Sequence, residues 1–313
     1  MFPFPIFAIS TCGMIGLPRS DVKTNRDPFD NSCAAGSMEW SERGFATTGS
    51  KTCAESFGKR ITATMSAPEL NFGGVHPAAA SRALPFFEEL ISGSPAPLQS
   101  IYVTGSAVTP DFNERTSDVN SLVVVPQIDM PLLEFLGRLG RRHGRRGIHA
   151  PLLMSPQYIE RSLDVFPVEF LDLQLVSHLV WGQPVLPNSP LDRVQMRMQC
   201  ERELKGRLIT LRQGFIRSLG DRRLLRELLV QSLAGLIPLL RGILFALSRP
   251  TPRDRTSILT ELQQACDIST DGVEQVIRIK NEMLSPALTA LEETFSRYYE
   301  TVERLTDVID AAS

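Results

Sequence analysis

Apolar positions along the chain fall into two regimes, a short alternation of strands and helices and then unbroken helical spacing. From Ala78 to Ile91 they recur at helical intervals (Ala83, Phe86, Phe87, Leu90, Ile91), and Gly93 and Pro95 close the segment. Ile101–Thr104 predicts a short strand ending at Gly105-Ser106. A polar loop, Thr109–Ser117, then leads to Ser121–Val125, whose valines predict a strand buried on both faces before Pro126. Leu132–Leu139 is amphipathic, and Ile148–Met154 predicts a third strand. Ser155 is placed to cap a short helix, Pro156–Leu163, and Phe166–Leu173 predicts a fourth strand. Beyond Pro187 and Pro190 the spacing is helical throughout: Val194–Leu219, Arg222–Leu247, Arg255–Cys266, Gly272–Glu282 and Pro286–Ala311. The expectation is an α/β (α+β) fold: a small mixed sheet with flanking helices over residues 76–190, then an all-α bundle over 191–313.

Residues 1–64 follow neither period. They are rich in Gly, Ser, Thr, Asn and Pro. Such a stretch buries too little apolar surface to offset its ordering entropy, so it is expected to be disordered, or to precede a true start at Met65.

The segment Leu228–Leu247 approaches the length of a membrane span. It also contains Gln231, Ser232, Pro238 and Arg241, which favours a helix buried at the centre of a bundle.

Composition narrows the function classes. The 313-residue chain carries a formal net charge of −2, so attraction to phosphate must come from local patches. Its five cysteines form no C-x-x-C pair, which argues against a disulfide framework or a zinc site and fits a reducing cytoplasm. The run Arg138–Arg146 is expected to be a solvated helix end, and Arg193–Arg223 either a salt-bridged stripe or a border of a binding cleft. His178 is expected to be a packed, hydrogen-bonded histidine. An exposed apolar stripe on the last helix around Leu291, Phe295 and Leu305 would mark an interaction surface.

One constellation carries chemistry. A strand runs into Gly105-Ser106; after a loop, Asp118-Val119-Asn120 opens the next strand; Val168-Glu169-Phe170 follows later. Over about residues 80–190 this resembles the polymerase-β-type nucleotidyltransferase superfamily, in its bacterial forms with a C-terminal helical domain. The resemblance implies that Gly105, Ser106 and Ser117 hold the nucleotide and that Asp118, Asn120 and Glu169 hold Mg²⁺ or Mn²⁺. Asp118 and Glu169 would be catalytic. It further implies nucleotidyl transfer from a nucleoside triphosphate to an unknown acceptor, with the helical domain available for a homodimer or a protein partner.

The parts suit that task physically. A Gly-Ser turn lets backbone N–H groups approach phosphate. Strand positions 118 and 120 share one face. The chain departs from the superfamily pattern at Asn120, where a second aspartate is expected. A neutral carbonyl is a poor substitute for a carboxylate on a hard cation. The alternative is therefore a nucleotide-binding regulatory module that uses the same cleft without turnover.

Overall fold

The computed structural model describes residues 69–187 and 190–312. The expectations for residues 1–64 and for Met65 lie outside the described residues. In chain order the elements are α1 (Pro77–Gly93), β1 (Ser100–Thr104), β2 (Asn120–Val124), α2 (Met130–His143), β3 (Leu152–Met154), α3 (Pro156–Ser162), α4 (Pro167–Leu175) and β4 (Ser177–Gly182). Six helices follow: α5 (Arg193–Ser218), α6 (Arg222–Ser232), α7 (Leu236–Ala246), α8 (Arg255–Cys266), α9 (Asp271–Lys280) and α10 (Leu288–Ala311).

The sheet is mixed, with strand order β3-β2-β1-β4. β1 runs antiparallel to β2 and to β4, and β2 runs parallel to β3. Successive side chains of a strand point to opposite faces, and here both faces are covered. Val119, Val123 and Val125 join Ile101 and Val103 under α1 and α2. Leu122 and Val124 join Tyr102 and Met154 in a second core, continuous with α4 and the helices beyond it. That double coverage explains the unbroken valine run. All described residues belong to one compact unit.

Local signals account for several boundaries. Ser155 accepts a hydrogen bond from the Tyr158 N–H (3.2 Å) and Pro156 opens α3, as the capping pattern predicts. Asp129 caps α2 through the Leu132 N–H (2.9 Å).

Two elements differ from expectation. Phe166–Leu173 is not a strand: residues from Pro167 form α4, and the fourth strand lies later, at Ser177–Gly182. Proline at the first helical position and burial of Val168, Phe170, Leu171 and Leu173 identify a helix enclosed nearly all round. A short apolar run of that kind has no period that separates helix from strand. The second difference is the expected single helix Arg222–Leu247. It breaks at Gly235, which adopts a left-handed φ of 66°, and Pro238 then falls in the first turn of α7, where its missing N–H costs nothing.

Among the described residues no single helix is long and apolar enough to cross a membrane; α6 and α7 meet the length and composition test only as a pair bent by 45°. Leu239, Leu240, Ile243 and Leu244 of α7 are fully buried, which is the setting of a core helix.

α9 and α10 approach so closely that Gly272 has no room for a methyl group. A Cβ there would meet the backbone of Arg297 and Tyr298. Gly272→Ala is expected to destabilise the protein by about 2 kcal/mol, because backbone cannot step aside as a side-chain tip can. Urea unfolding would measure it; an unchanged midpoint would mean that the two helices are not packed this tightly.

Candidate functional site

Gly105 follows β1 with a φ of 71°, a left-handed conformation that favours glycine, and its N–H donates to the Val176 carbonyl (2.9 Å). Residues Gly105–Val108 then form one 3-10 turn, in which the Ser106 carbonyl accepts from Thr109 N–H (3.0 Å). Thr104 pairs with Asn120 across the β1–β2 ladder. A Cβ placed on Gly105 would lie 3.7 Å from Asn120 Nδ2. The glycine turn and the Asp118-x-Asn120 pair thus meet at one end of the sheet.

Val119 is buried under α1 and α2 and bridges to Ile148, so the backbone is extended there. Asp118 and Asn120 consequently point to the opposite face, the one that carries Leu122, Val124 and the helical region. Asn120 Oδ1 is buried and has no hydrogen-bond partner among the described residues. Such an acceptor carries an uncompensated desolvation cost of about 1–3 kcal/mol.

Asp118 is engaged from the neighbouring strand segment. His149 Nε2 lies 3.1 Å from Asp118 Oδ2. Ser117 uses its hydroxyl oxygen to accept from the Asn113 N–H (3.0 Å), and its carbonyl accepts from Arg82 (3.2 Å). The Ser117 side chain thus shapes the loop that delivers Asp118.

Glu169 is on α4, not on a strand beside β2. Its carboxylate accepts from Gln199 Nε2 (2.7 Å) in the seam between α4 and α5. The same Nε2 donates to Glu203 (2.7 Å), and the Gln199 carbonyl oxygen accepts from the Val168 N–H (3.0 Å). Burial pushes the Glu169 carboxyl up to about 7, helped by the charge of Glu203 and opposed by the Gln199 hydrogen bond. Near neutral pH this group is protonated about half the time.

These positions do not make a site for two metal ions. Asp118 is the one carboxylate at the glycine turn, Asn120 adds a neutral oxygen, and Glu169 is satisfied in its own seam. Among the described residues no group of three or more His, Cys, Asp or Glu could hold a metal ion. A Mg²⁺ triphosphate site needs more anionic oxygen than this.

The helical region supplies what the sequence pattern did not single out. Arg253 donates to the Val108 carbonyl (3.4 Å), the Arg255 N–H to Asp111 Oδ2 (2.8 Å), and Thr116 Oγ1 to Asn281 Oδ1 (3.2 Å). Lys280, at the end of α9, lies near enough to Arg255 and Asp118 to feel both charges. Burial pushes its ammonium below the usual lysine range, Arg255 pushes the same way and Asp118 opposes them. Contacts of this kind span well over a hundred residues of sequence and leave no local signal; His149, within the predicted third strand, was the one such residue close to a recognised motif.

Other expectations resolve simply. His178 Nε2 is 3.1 Å from the Asn71 carbonyl oxygen, a packed and hydrogen-bonded position. Arg141, Arg142 and His143 form the last turn of α2, with Arg142 against Glu89. The Arg193–Arg223 stretch is salt-bridged: Lys205 contacts Glu201 (2.6 Å) and Asp310 (3.0 Å), and Arg212 reaches Glu303 (3.7 Å). Leu291, Phe295 and Leu305 are buried and offer no exposed stripe.

No family model matches the chain, and no curated protein matches it.

Proposed function

We propose that this protein is a nucleotide-binding module on a nucleotidyltransferase-like fold, one that engages a nucleoside triphosphate without transferring it. The observation that carries the reading is Asn120. It stands beside the Gly105 turn, where the superfamily pattern expects a metal-binding aspartate, and it presents a buried acceptor oxygen that no described residue satisfies. An unpaired neutral oxygen suits a ligand N–H or O–H donor better than a divalent cation.

Two further arrangements support loss of turnover. Asp118 is engaged by His149 rather than free for a metal. Glu169 is spent on Gln199 in a buried seam, so no general base faces Asp118 from that side.

Calorimetry with the four nucleoside triphosphates, in EDTA and then in Mg²⁺ or Mn²⁺, tests the reading together with a pyrophosphate-release assay. The expected result is binding of at least one triphosphate with no pyrophosphate released. Release that requires Mg²⁺ or Mn²⁺ and disappears in Asp118→Ala would replace this reading with active nucleotidyl transfer. Absence of any nucleotide binding would end both.

A further inference from the structure

The loop from Val108 to Asp118 is clasped by the helical region at several points, and a lone cation sits inside the clasp. Arg253 and Arg255, at the start of α8, hold Val108 and Asp111; the Arg255 guanidinium is 3.5 Å from Asp111 Oδ1 and donates to the Asp111 carbonyl (3.3 Å). Asn281, at the end of α9, holds Thr116. Lys280 lies between them, half-buried. It makes no ion pair or hydrogen bond with any described residue.

Its surroundings do not explain that lack of a partner as simple solvation. Arg255 is a like charge close by, and Asp118, the carboxylate that acts on Lys280, is already engaged by His149 at 3.1 Å. A partly desolvated ammonium facing a guanidinium, with no anion of its own, is destabilising until an anion arrives. The anion must be small enough to enter beside Asp118 and charged enough to offset two cations. A phosphate group meets both conditions.

We propose that Lys280, with Arg255 beside it, binds a phosphate group of the ligand directly, so that protein cations supply the neutralisation that this chain's carboxylates are too few to obtain from Mg²⁺. The inference rests on the proposed nucleotide-binding reading and assigns the phosphate end of that site to α9 and α8. Binding of the phosphate portion is then independent of metal. It depends on an ammonium or guanidinium at position 280 and stabilises the fold by relieving the repulsion there.

The probe is sodium tripolyphosphate in EDTA, titrated by calorimetry into the full chain, into Lys280→Met and into Lys280→Arg, with thermal unfolding of each protein. The wild type should bind, Lys280→Met should lose at least tenfold in affinity, and Lys280→Arg should stay within about threefold. Without ligand, Lys280→Met should unfold at a temperature no lower than the wild type. That outcome separates a lost ligand contact from a lost fold.

Equal affinity in the wild type and Lys280→Met would overturn the inference and leave nucleotide binding standing on other residues. Lys280-dependent tripolyphosphate binding with no affinity for any nucleoside triphosphate would uphold the phosphate site and remove the nucleotide reading. A wild type that binds no tripolyphosphate overturns the inference outright.

Discussion

Arg241→Met is expected to cost about 3–5 kcal/mol of folding stability, the usual consequence of leaving one partner of a buried pair without its counter-charge. Arg241 is 4% exposed and donates to Asp172 on α4. It also donates to the carbonyls of Pro252 (3.1 Å) and Arg253 (2.6 Å). One side chain therefore ties α7 to α4 and to the turn that delivers Arg253 and Arg255 to the Val108–Asp111 loop. Burial pushes the Asp172 carboxyl up, and the guanidinium beside it pulls it back down. Without the guanidinium, Asp172 is left to protonate or to open the packing.

Chemical denaturation would measure the loss, and the double variant Asp172→Asn/Arg241→Met separates its causes. If the cost is an abandoned charge, the double variant should recover half or more of it, since an uncharged pair of similar volume is often tolerated. If Arg241 matters chiefly through the two carbonyls, the double variant will be as unstable as the single one. A single-variant loss under 1 kcal/mol would show that the pair is not a buried anchor.

The parts of this fold that could be anticipated are those written in local chemistry. The β1 and β2 strands, Ser155 with Pro156, and the positive φ at Gly105 follow from burial on two faces, a capping hydroxyl and a turn that disfavours any Cβ. The juxtaposition of Gly105 with Asn120 followed as well, because an antiparallel pair places the end of one strand beside the start of the next. The misassignment came where a segment is apolar on every side. From Phe166 onward burial is nearly complete, and the periodicity that separates helix from strand is absent. That one error moved Glu169 from a sheet edge to a helix seam and with it changed the chemistry of the site. Lys280, Arg255 and Gln199 could not be foreseen, because their meaning depends on which distant residues the bundle brings beside them.

The seam at Glu169 yields the second large effect, a stability that falls with rising pH. The folded-state value of about 7 lies above that of an ordinary carboxyl, about 4.3, in the unfolded chain. Between those values the folded protein holds a proton that the unfolded chain has already released. The contribution is therefore fully present below about pH 4 and is lost as pH rises through 7. At the scale of 1.36 kcal/mol per unit, the swing is on the order of 3 kcal/mol.

Glu169→Gln should remove this slope. The replacement amide keeps an oxygen for the Gln199 Nε2, whose direction is set by the Val168 N–H bound to the other end of the Gln199 amide. The variant should be more stable than the wild type at pH 8 and little different at pH 5, as measured by urea midpoints across that range. Parallel curves for the two proteins would mean that Glu169 stays ionised throughout and is free to act as an anionic ligand. Converging curves would instead establish a carboxyl held for packing and hydrogen bonding, which leaves Asp118 as the one carboxylate at the glycine turn.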